Sequence, residues 1–318
     1  MADTDGTDAA LIGAALTDAA HRDADPVMQV GLAPPGYRLP ASTRLGHVSL
    51  QVADLARSVA YYVRVLGLRV LEHAGATAIL GTQSGDTPLV GLTERPGASR
   101  SPHHARLGLY HFAILLPDRP ALGRFLAHLG SIGEQPGAAD HLVSEALYLR
   151  DPDGLGIEVY ADRPRSTWHA TGRQLRMASD ALDFAGVVRS AGGQPWTGAP
   201  AGTVIGHVHL HVADLQHAAE FYHAALGLDT MVWDYPGALF LGAGGYHHHL
   251  GLNTWAGAKA PMPTDADARL LEWRIVLPSP AAVQEAAASV AMAGHQIMAD
   301  GADCLAVDPW GTRVRLLS

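Results

Sequence analysis

Histidine is the residue type that most strongly indicates chemistry in this sequence. Eighteen of the 318 residues are histidines, and imidazole nitrogens bind transition metals and transfer protons near neutral pH. His111 and Glu158 each stand in an apolar run, where a polar side chain is costly to bury without a partner. Two clusters add six more imidazoles: His207, His209 and His211 in one, and His247, His248 and His249 in the other.

An internal repeat gives these residues equivalent positions in different parts of the chain. Residues 47–55 (HVSLQVADL) return as residues 207–215 (HVHLHVADL), and residues 66–68 return as residues 226–228. A weaker pair relates residues 115–117 to 276–278 and residues 151–154 to 308–311. The chain is therefore predicted to be a duplication in which each half holds two unlike parts.

Each part has the same order of local signals. Apolar residues alternate with polar ones in the opening strand, Asp54 or Asp214 follows at a helix N-cap position, and Gly67 stands where the helix would end. Short strands with glycine-rich turns come next. This order predicts an α+β chain of four tandem βαβββ modules, at residues 44–97, 106–162, 203–257 and 269–318.

The modules suggest a division of the chain into two domains. We predict an N-terminal extension at residues 1–43 that is flexible or loosely docked, and a first domain at residues 44–162. A crossover linker follows at residues 163–202, with a helix around residues 179–190, and a second domain occupies residues 203–318. The role of the extension is left open.

Composition excludes several classes of protein. A net charge of −9 without a basic stripe argues against nucleic-acid binding. There is no apolar stretch of about 18 residues, so no membrane-spanning helix is expected. The single cysteine, Cys304, cannot form an internal disulfide, and the N-terminus lacks the pattern of a signal peptide. These features predict a cytoplasmic protein.

Four segments carry a resemblance to a known family. Residues 47–55, 109–117 (LYHFAILLP), 151–160 (DPDGLGIEVY) and 246–253 (YHHHLGLN) resemble the vicinal oxygen chelate superfamily of glyoxalases, bleomycin and fosfomycin resistance proteins and extradiol dioxygenases. They are most similar to catechol-2,3-dioxygenases of the CatE type. The resemblance covers residues 44–318 and implies that the modules form two cup-shaped, partly closed mixed sheets.

The resemblance also implies an activity. It is Fe(II)-dependent extradiol ring cleavage of catechol or a substituted catechol, with a small aromatic molecule and O2 as the partners. Mn(II) or another divalent metal stays open as the cofactor, and so does assembly into a homo-oligomer. Two alternatives are a divalent-metal isomerase or transferase similar to glyoxalase or fosfomycin-resistance proteins, and a metal-free protein that sequesters small molecules.

The metal ligands implied by the family are two histidines and one glutamate. Glu158 and His111 match two of these positions, and the second histidine is either His207 or His47, depending on which modules pair. Module 4 carries Glu272 and Arg315 at the positions of His111 and Glu158, and an arginine there would repel a cation. Module 3, in contrast, carries the six clustered histidines. A pairing of modules 2 and 3 places them opposite His111 and Glu158, which favours His207, with His47 as the alternative.

The family also implies catalytic roles for side chains near the metal. His248 matches its acid–base histidine, Tyr148 a hydrogen-bond donor to a developing oxyanion, and His141 a residue near the substrate hydroxyls. Each has an ordinary structural alternative: a polar rim, a strand aromatic or a loop residue. His209, His249 and Asp140 are predicted to orient a metal ligand or to bind the substrate. On an ideal strand, His247 and His249 would point away from His248.

Overall fold

The computed structural model describes residues 30–102 and 105–318, and it contains the four predicted βαβββ modules. Module 1 consists of β1 (Arg44–Leu45), β2 (Val48–Val52), α1 (Leu55–Arg64), β3 (Arg69–Ala74), β4 (Thr77–Gly81) and β5 (Pro88–Glu94). Module 2 consists of β6 (Gly108–Leu115), α2 (Arg119–Ser131), β7 (Gly137–Asp140), β8 (Ser144–Arg150) and β9 (Gly156–Asp162).

The linker and the second half follow the same scheme. The linker holds a 3₁₀ turn (Arg165–Thr167), β10 (Ala170–Thr171), β11 (Gln174–Leu175) and α3 (Phe184–Ser190). Module 3 consists of β12 (Val204–His211), α4 (Leu215–Ala219) continued by a π-helical segment (Glu220–Ala225), β13 (Asp229–Val232), β14 (Ala238–Gly242) and β15 (Leu250–Asn253). Module 4 consists of β16 (Arg269–Val276), α5 (Pro280–Met292), β17 (Ile297–Asp300), β18 (Asp303–Val307) and β19 (Arg313–Leu317).

The four modules join in pairs across the halves of the chain. In the described residues, one mixed sheet has the order β13-β14-β15-β12-β6-β9-β8-β7, so it combines modules 3 and 2. The other has the order β17-β18-β19-β16-β2-β5-β4-β3, with β1 beside β16, and combines modules 4 and 1. This is the pairing that the histidine distribution favoured. Each sheet takes one module from each half, and the division into domains at residues 44–162 and 203–318 stays a prediction.

The helices begin where the sequence places short polar side chains. The carboxylates of Asp54, Asp118 and Asp214 and the hydroxyl of Ser279 each accept a hydrogen bond from the backbone N–H three residues further on. Such caps satisfy amide groups that lack an intrahelical partner. Because each helix then packs on one face of its sheet, alternate strand residues such as Ile157 and Val159 enter the main core. The opposite, concave face is left for polar residues.

The described part of the N-terminal extension is packed rather than loose. Leu39 is buried, and its backbone N–H donates to the carbonyl of Gly227. The Arg38 guanidinium forms two hydrogen bonds of 2.7 Å with the carboxylate of Asp229. Residues 30–43 therefore differ from the flexible extension predicted for residues 1–43, because an apolar side chain and an ion pair attach them to module 3. Residues 1–29 lie outside the described residues.

The linker packs against module 2, in the sheet that modules 2 and 3 share. Its helix, α3, lies within the predicted span of residues 179–190 but begins at Phe184, where Asp183 caps it. α3 packs against α2, and the backbone of Asp180 pairs with that of Asp140. In the described part of the chain, none of the helices is both long enough and apolar enough to cross a bilayer.

Candidate metal centre and active site

Three buried side chains meet at the centre of the sheet formed by modules 2 and 3. His111 lies on β6, Glu158 on β9 and His207 on β12, three strands that neighbour one another. Nε2 of His111 lies 3.0 Å and Nε2 of His207 3.3 Å from Oε2 of Glu158. The two Nε2 atoms are 3.4 Å apart. This cluster contains the three residues predicted as metal ligands.

A local irregularity in β12 brings His207 into this position. The pairing of β12 with β6 shifts register between Ile205 and His207, so the strand bulges at Gly206. A Cβ at Gly206 would lie 1.8 Å from the hydroxyl oxygen of Tyr160. Only glycine leaves room for that hydroxyl against the strand, and the Tyr160 ring then packs 4.9 Å from the His207 ring.

The donor set fits a divalent metal ion. Cis ligands about 2.1 Å from one metal lie roughly 3 Å apart, which matches the three distances between these donors. Burial alone would raise the pKa of Glu158, but the adjacent His207 and His111 hold it well below its usual value. Burial lowers the pKa of His111. A metal binds the ionised form of a carboxylate, which the low pKa of Glu158 favours.

His47 is not part of this cluster. It lies in the other sheet, where the guanidinium of Arg274 contacts its ring nitrogens. Burial and the neighbouring Arg274 lower the pKa of His47 to about 4. Among the described residues, the cluster with metal-ligand geometry consists of His111, Glu158 and His207.

A cavity of about 190 Å³ opens beside the three donors. A buried cavity of roughly 150 Å³ accepts benzene in another protein, so this volume suits one substituted aromatic ring. Its walls combine aromatic rings, imidazoles and small linker residues: Tyr110, His111, Ala139, His141, Tyr148, Glu158, Met177, Ala178, Ser179, His209, Tyr235, Phe240, His248 and Trp255.

His141 and Tyr148 meet at one end of the cavity. Nδ1 of His141 lies 2.6 Å from the carbonyl oxygen of Ala178, which can only accept, so Nδ1 is the protonated nitrogen. Nε2 of His141 therefore accepts the hydrogen bond of 2.5 Å from the Tyr148 hydroxyl. Burial and the nearby Glu158 raise the pKa of Tyr148 well above its usual value, so the phenol remains a donor.

The loop that carries His141 adopts an unusual backbone conformation. Leu142 has φ = 69°, a left-handed conformation that costs energy for a branched side chain. The carboxylate of Asp140 accepts from the N–H of Leu142 and also pairs with Arg163 at 2.6 Å. Asp140 holds this loop and is not among the residues that line the cavity, so the substrate-binding role stays a prediction.

His209 lines the cavity next to the metal donors. Its Nε2 lies 2.9 Å from the side-chain amide of Asn253, whose oxygen lies 2.6 Å from Nδ1 of His211. Burial lowers the pKa of His209 well below its usual value. A Cβ at Gly251 would lie within 3 Å of the His209 ring. Gly251 in β15 stands at the position equivalent to Glu158 in β9. The ring of His209 therefore occupies the space that a second carboxylate side chain would take.

The histidine triplet lies in the loop before β15 and not on the strand. His248 lines the cavity, and its ring lies 4.2 Å from that of His207. Burial and the surrounding imidazoles lower the pKa of His248 well below its usual value. His249 instead accepts from the backbone N–H of Ala243, away from the cavity. The predicted strand alternation is wrong here, because His247 lies beside His248, with their ring centroids 4.6 Å apart.

Several residues around the site were not identified from the sequence. They are Asn253, which contacts two histidines, Asp162, which contacts His247, and the linker residues 177–179. The period of two along β9 could have pointed to Asp162, because it faces the same side as Glu158. No local pattern could have pointed to the linker residues.

Comparisons with known proteins agree with this architecture. The family model of the Glyoxalase/Bleomycin resistance protein/Dioxygenase superfamily matches residues 44–159 and 204–307. Catechol-2,3-dioxygenase of Bacillus subtilis (strain 168) is 47% identical over 259 residues, which are 80% of this chain and 90% of that protein. Biphenyl-2,3-diol 1,2-dioxygenase 3 of Rhodococcus globerulus is 33% identical over 123 residues, 37% of this chain and 63% of that protein.

A solved structure extends the comparison to the fold. The crystal structure of glyoxalase I from Zea mays matches with a TM-score of 0.52 at 21% identity, over 86% of this chain and 92% of that one. At that identity the match concerns the fold alone. The family model covers most of the chain, and the chain therefore belongs to the Glyoxalase/Bleomycin resistance protein/Dioxygenase superfamily.

Proposed function

We propose that this protein is an Fe(II)-dependent extradiol dioxygenase that cleaves the ring of catechol or a substituted catechol. The proposal rests on two imidazoles and one carboxylate that lie together beside an aromatic-lined cavity. They belong to His111, His207 and Glu158. The similarity to a catechol-2,3-dioxygenase over 80% of the chain supports the same activity.

The three donors would hold the metal on one side only. A facial set of two histidines and one carboxylate is typical of non-haem Fe(II) oxygenases, in which the ion offers open positions and redox chemistry for O2. Glyoxalase-like enzymes usually add a fourth carboxylate ligand. Gly251 stands in that position in β15, under the ring of His209, which favours the dioxygenase over the isomerase.

The side chains of the cavity would bind and orient the substrate. Phe240, Trp255 and Tyr110 offer ring faces and edges to an aromatic molecule. When substrate binds, the Tyr148 hydroxyl would turn its single proton from Nε2 of His141 to a substrate oxygen as negative charge develops there. His248, a neutral imidazole at the cavity wall, would take the proton of a substrate hydroxyl.

Oxygen uptake by the full chain tests the proposal. The protein would be purified without air, analysed for metals and mixed with catechol in an oxygen electrode, with the yellow ring-fission product followed by absorbance. We expect about one iron per chain, since one three-donor cluster lies in the part of the chain that the structure describes, and stoichiometric oxygen uptake. Glu272→Gln, which removes a carboxylate from the other sheet, serves as the control and should retain the activity.

Two results would contradict the proposal. Zinc or nickel in the purified protein without oxygen uptake would indicate a metal-dependent isomerase or transferase. A chain without metal that binds aromatic molecules unchanged would indicate a sequestering protein.

A further inference from the structure

Three hydrogen-bonded side chains connect the cavity with the protein surface. Nδ1 of His248 lies 2.7 Å from Nδ1 of His247, and Nε2 of His247 lies 2.9 Å from Oδ1 of Asp162. The His247 side chain is fully buried, whereas that of Asp162 is 27% exposed. The series therefore runs from an imidazole in the cavity wall to a carboxylate in contact with water.

The chemistry of the groups determines the direction of each hydrogen bond. An ionised carboxylate only accepts, so Nε2 of His247 carries the proton that faces Asp162. A neutral imidazole has one protonated nitrogen, which makes Nδ1 of His247 an acceptor. Nδ1 of His248 then donates to it, and the unprotonated nitrogen of His248 is Nε2.

Strand β9 supplies the carboxylate at the end of this series. Glu158, Tyr160 and Asp162 alternate along one face of β9, so one strand carries both the metal-binding carboxylate and the carboxylate under His247. The Tyr246 hydroxyl donates to Oδ1 of Asp162 at 3.3 Å and lies 2.7 Å from the Tyr160 hydroxyl. These contacts hold Asp162 in place.

The ring of His247 is also fixed from its other side. The Trp168 ring packs 5.2 Å and the Tyr246 ring 4.2 Å from the ring of His247. A ring held between aromatic neighbours cannot exchange the positions of its nitrogens without breaking both hydrogen bonds. The buried imidazole is therefore suited to orienting its neighbour and not to contacting a substrate itself.

We propose that Asp162 and His247 are positioning residues that hold His248 in the tautomer whose Nε2 lone pair is free for the substrate. The inference rests on the proposed function, in which His248 accepts a proton from a substrate hydroxyl. With Nε2 already protonated, neutral His248 could not accept a proton at that atom. A buried carboxylate maintains the working tautomer of a catalytic histidine in the same way in serine hydrolases.

Asp162→Asn provides the first test. The Asn amide can donate to Nε2 of His247, which would reverse both hydrogen bonds and protonate Nε2 of His248. We expect kcat for oxygen uptake with catechol to fall about 10- to 100-fold, as for other groups that orient functional ligands, while KM and metal content stay unchanged. Asp303→Asn is the matched control, because that carboxylate is 33% exposed and lies in the other sheet.

The tautomer can be observed directly. Ring-nitrogen NMR spectra of the full chain loaded with diamagnetic zinc(II), assigned with His248→Asn, should report a protonated Nδ1 and a bare Nε2 for His248. Asp162→Asn should exchange the two. In a His248→Asn background, Asp162→Asn should reduce kcat no further, because both changes act through one side chain.

These measurements separate the inference from the proposed function. Undiminished kcat in Asp162→Asn, independent losses in the double variant, or a protonated Nε2 in the unmodified protein would each overturn the inference. Absence of oxygen uptake by the unmodified protein would instead contradict the proposed function, and the nitrogen spectra would still decide the tautomer.

Discussion

The two sheets of this protein have the same strand order, but one has candidate metal ligands at its centre and the other has an ion pair. Where modules 2 and 3 bring together His111, Glu158 and His207, modules 4 and 1 present Glu272, Arg315 and His47. The Arg315 guanidinium forms two hydrogen bonds with Glu272, of 2.8 and 2.9 Å. A carboxylate at the position of His111 and a guanidinium at that of Glu158 thus replace a candidate metal site with an ion pair.

A second difference reinforces the first. Ala113 faces Glu158 across β6 and β9, whereas Arg274 takes the equivalent place opposite Arg315 in β16 and β19. Arg274 bonds Glu272 at 2.9 Å and contacts His47. The comparison shows that this scaffold tolerates either arrangement, because in both cases the buried charges have partners.

The largest effect is expected from removing one candidate ligand. His207→Ala should weaken metal binding by more than about 100-fold, since changes to groups that only orient ligands already cost about 10- to 100-fold. His47→Ala, the equivalent change in the other sheet, should leave the metal content unchanged. Metal analysis after dialysis against a weak chelator measures both. Loss of metal in His47→Ala alone would reverse the assignment.

A metal site built into the sheet of modules 4 and 1 would test the comparison by gain of function. The triple variant Glu272→His, Arg274→Ala, Arg315→Glu reproduces the residues of the first centre around His47. We expect the stoichiometry to rise from about one to about two divalent ions per chain, with weaker binding at the new site because its surroundings were not selected for a metal. Calorimetric titration with zinc(II) measures it. An unchanged stoichiometry would mean that residue types alone do not create the site.

Breaking the ion pair between Arg315 and Glu272 should lower the stability of the protein and leave its metal content unchanged. Arg315→Met removes the two-fold hydrogen bond of Glu272, which is mostly buried. We expect the free energy of unfolding to fall by about 2 kcal/mol, less than for a fully buried pair because Arg274 remains as a partner. Urea unfolding measures it, with metal content as the control. A stability equal to that of the unmodified protein would show that the pair is dispensable.

The smallest expected effect is the pH dependence of the stability that ionised Glu272 contributes. Burial would raise the pKa of Glu272, but Arg315 and Arg274 lower it below its usual value. The stabilisation by ionised Glu272 is therefore present above the usual glutamate pKa of about 4.3 and is lost as the pH falls below it. We expect Glu272→Gln to be less stable than the unmodified protein at neutral pH by about 1 kcal/mol, with the difference shrinking in acid. A constant difference would indicate a packing effect.

The sequence by itself determined the modules and the residue types of the candidate centre. Strand alternation, aspartates at helix N-caps and glycines at helix ends act over a few residues, so their pattern predicts each βαβββ unit. The resemblance of their segments to the superfamily, added to the cost of burying Glu158 and His111 without partners, pointed to a common site. His207 was favoured over His47 because module 3 carries the clustered histidines and module 4 carries Glu272 and Arg315.

Only the tertiary structure decided which modules share a sheet and which side chains meet there. The linker at residues 163–202 is long enough for either pairing, and strand edges of similar modules present the same backbone groups. The histidine triplet could not be oriented, because it lies in a loop where strand alternation does not apply. Asp162, Asn253 and the linker wall became functional candidates through contacts between distant segments, which local periodicity does not encode.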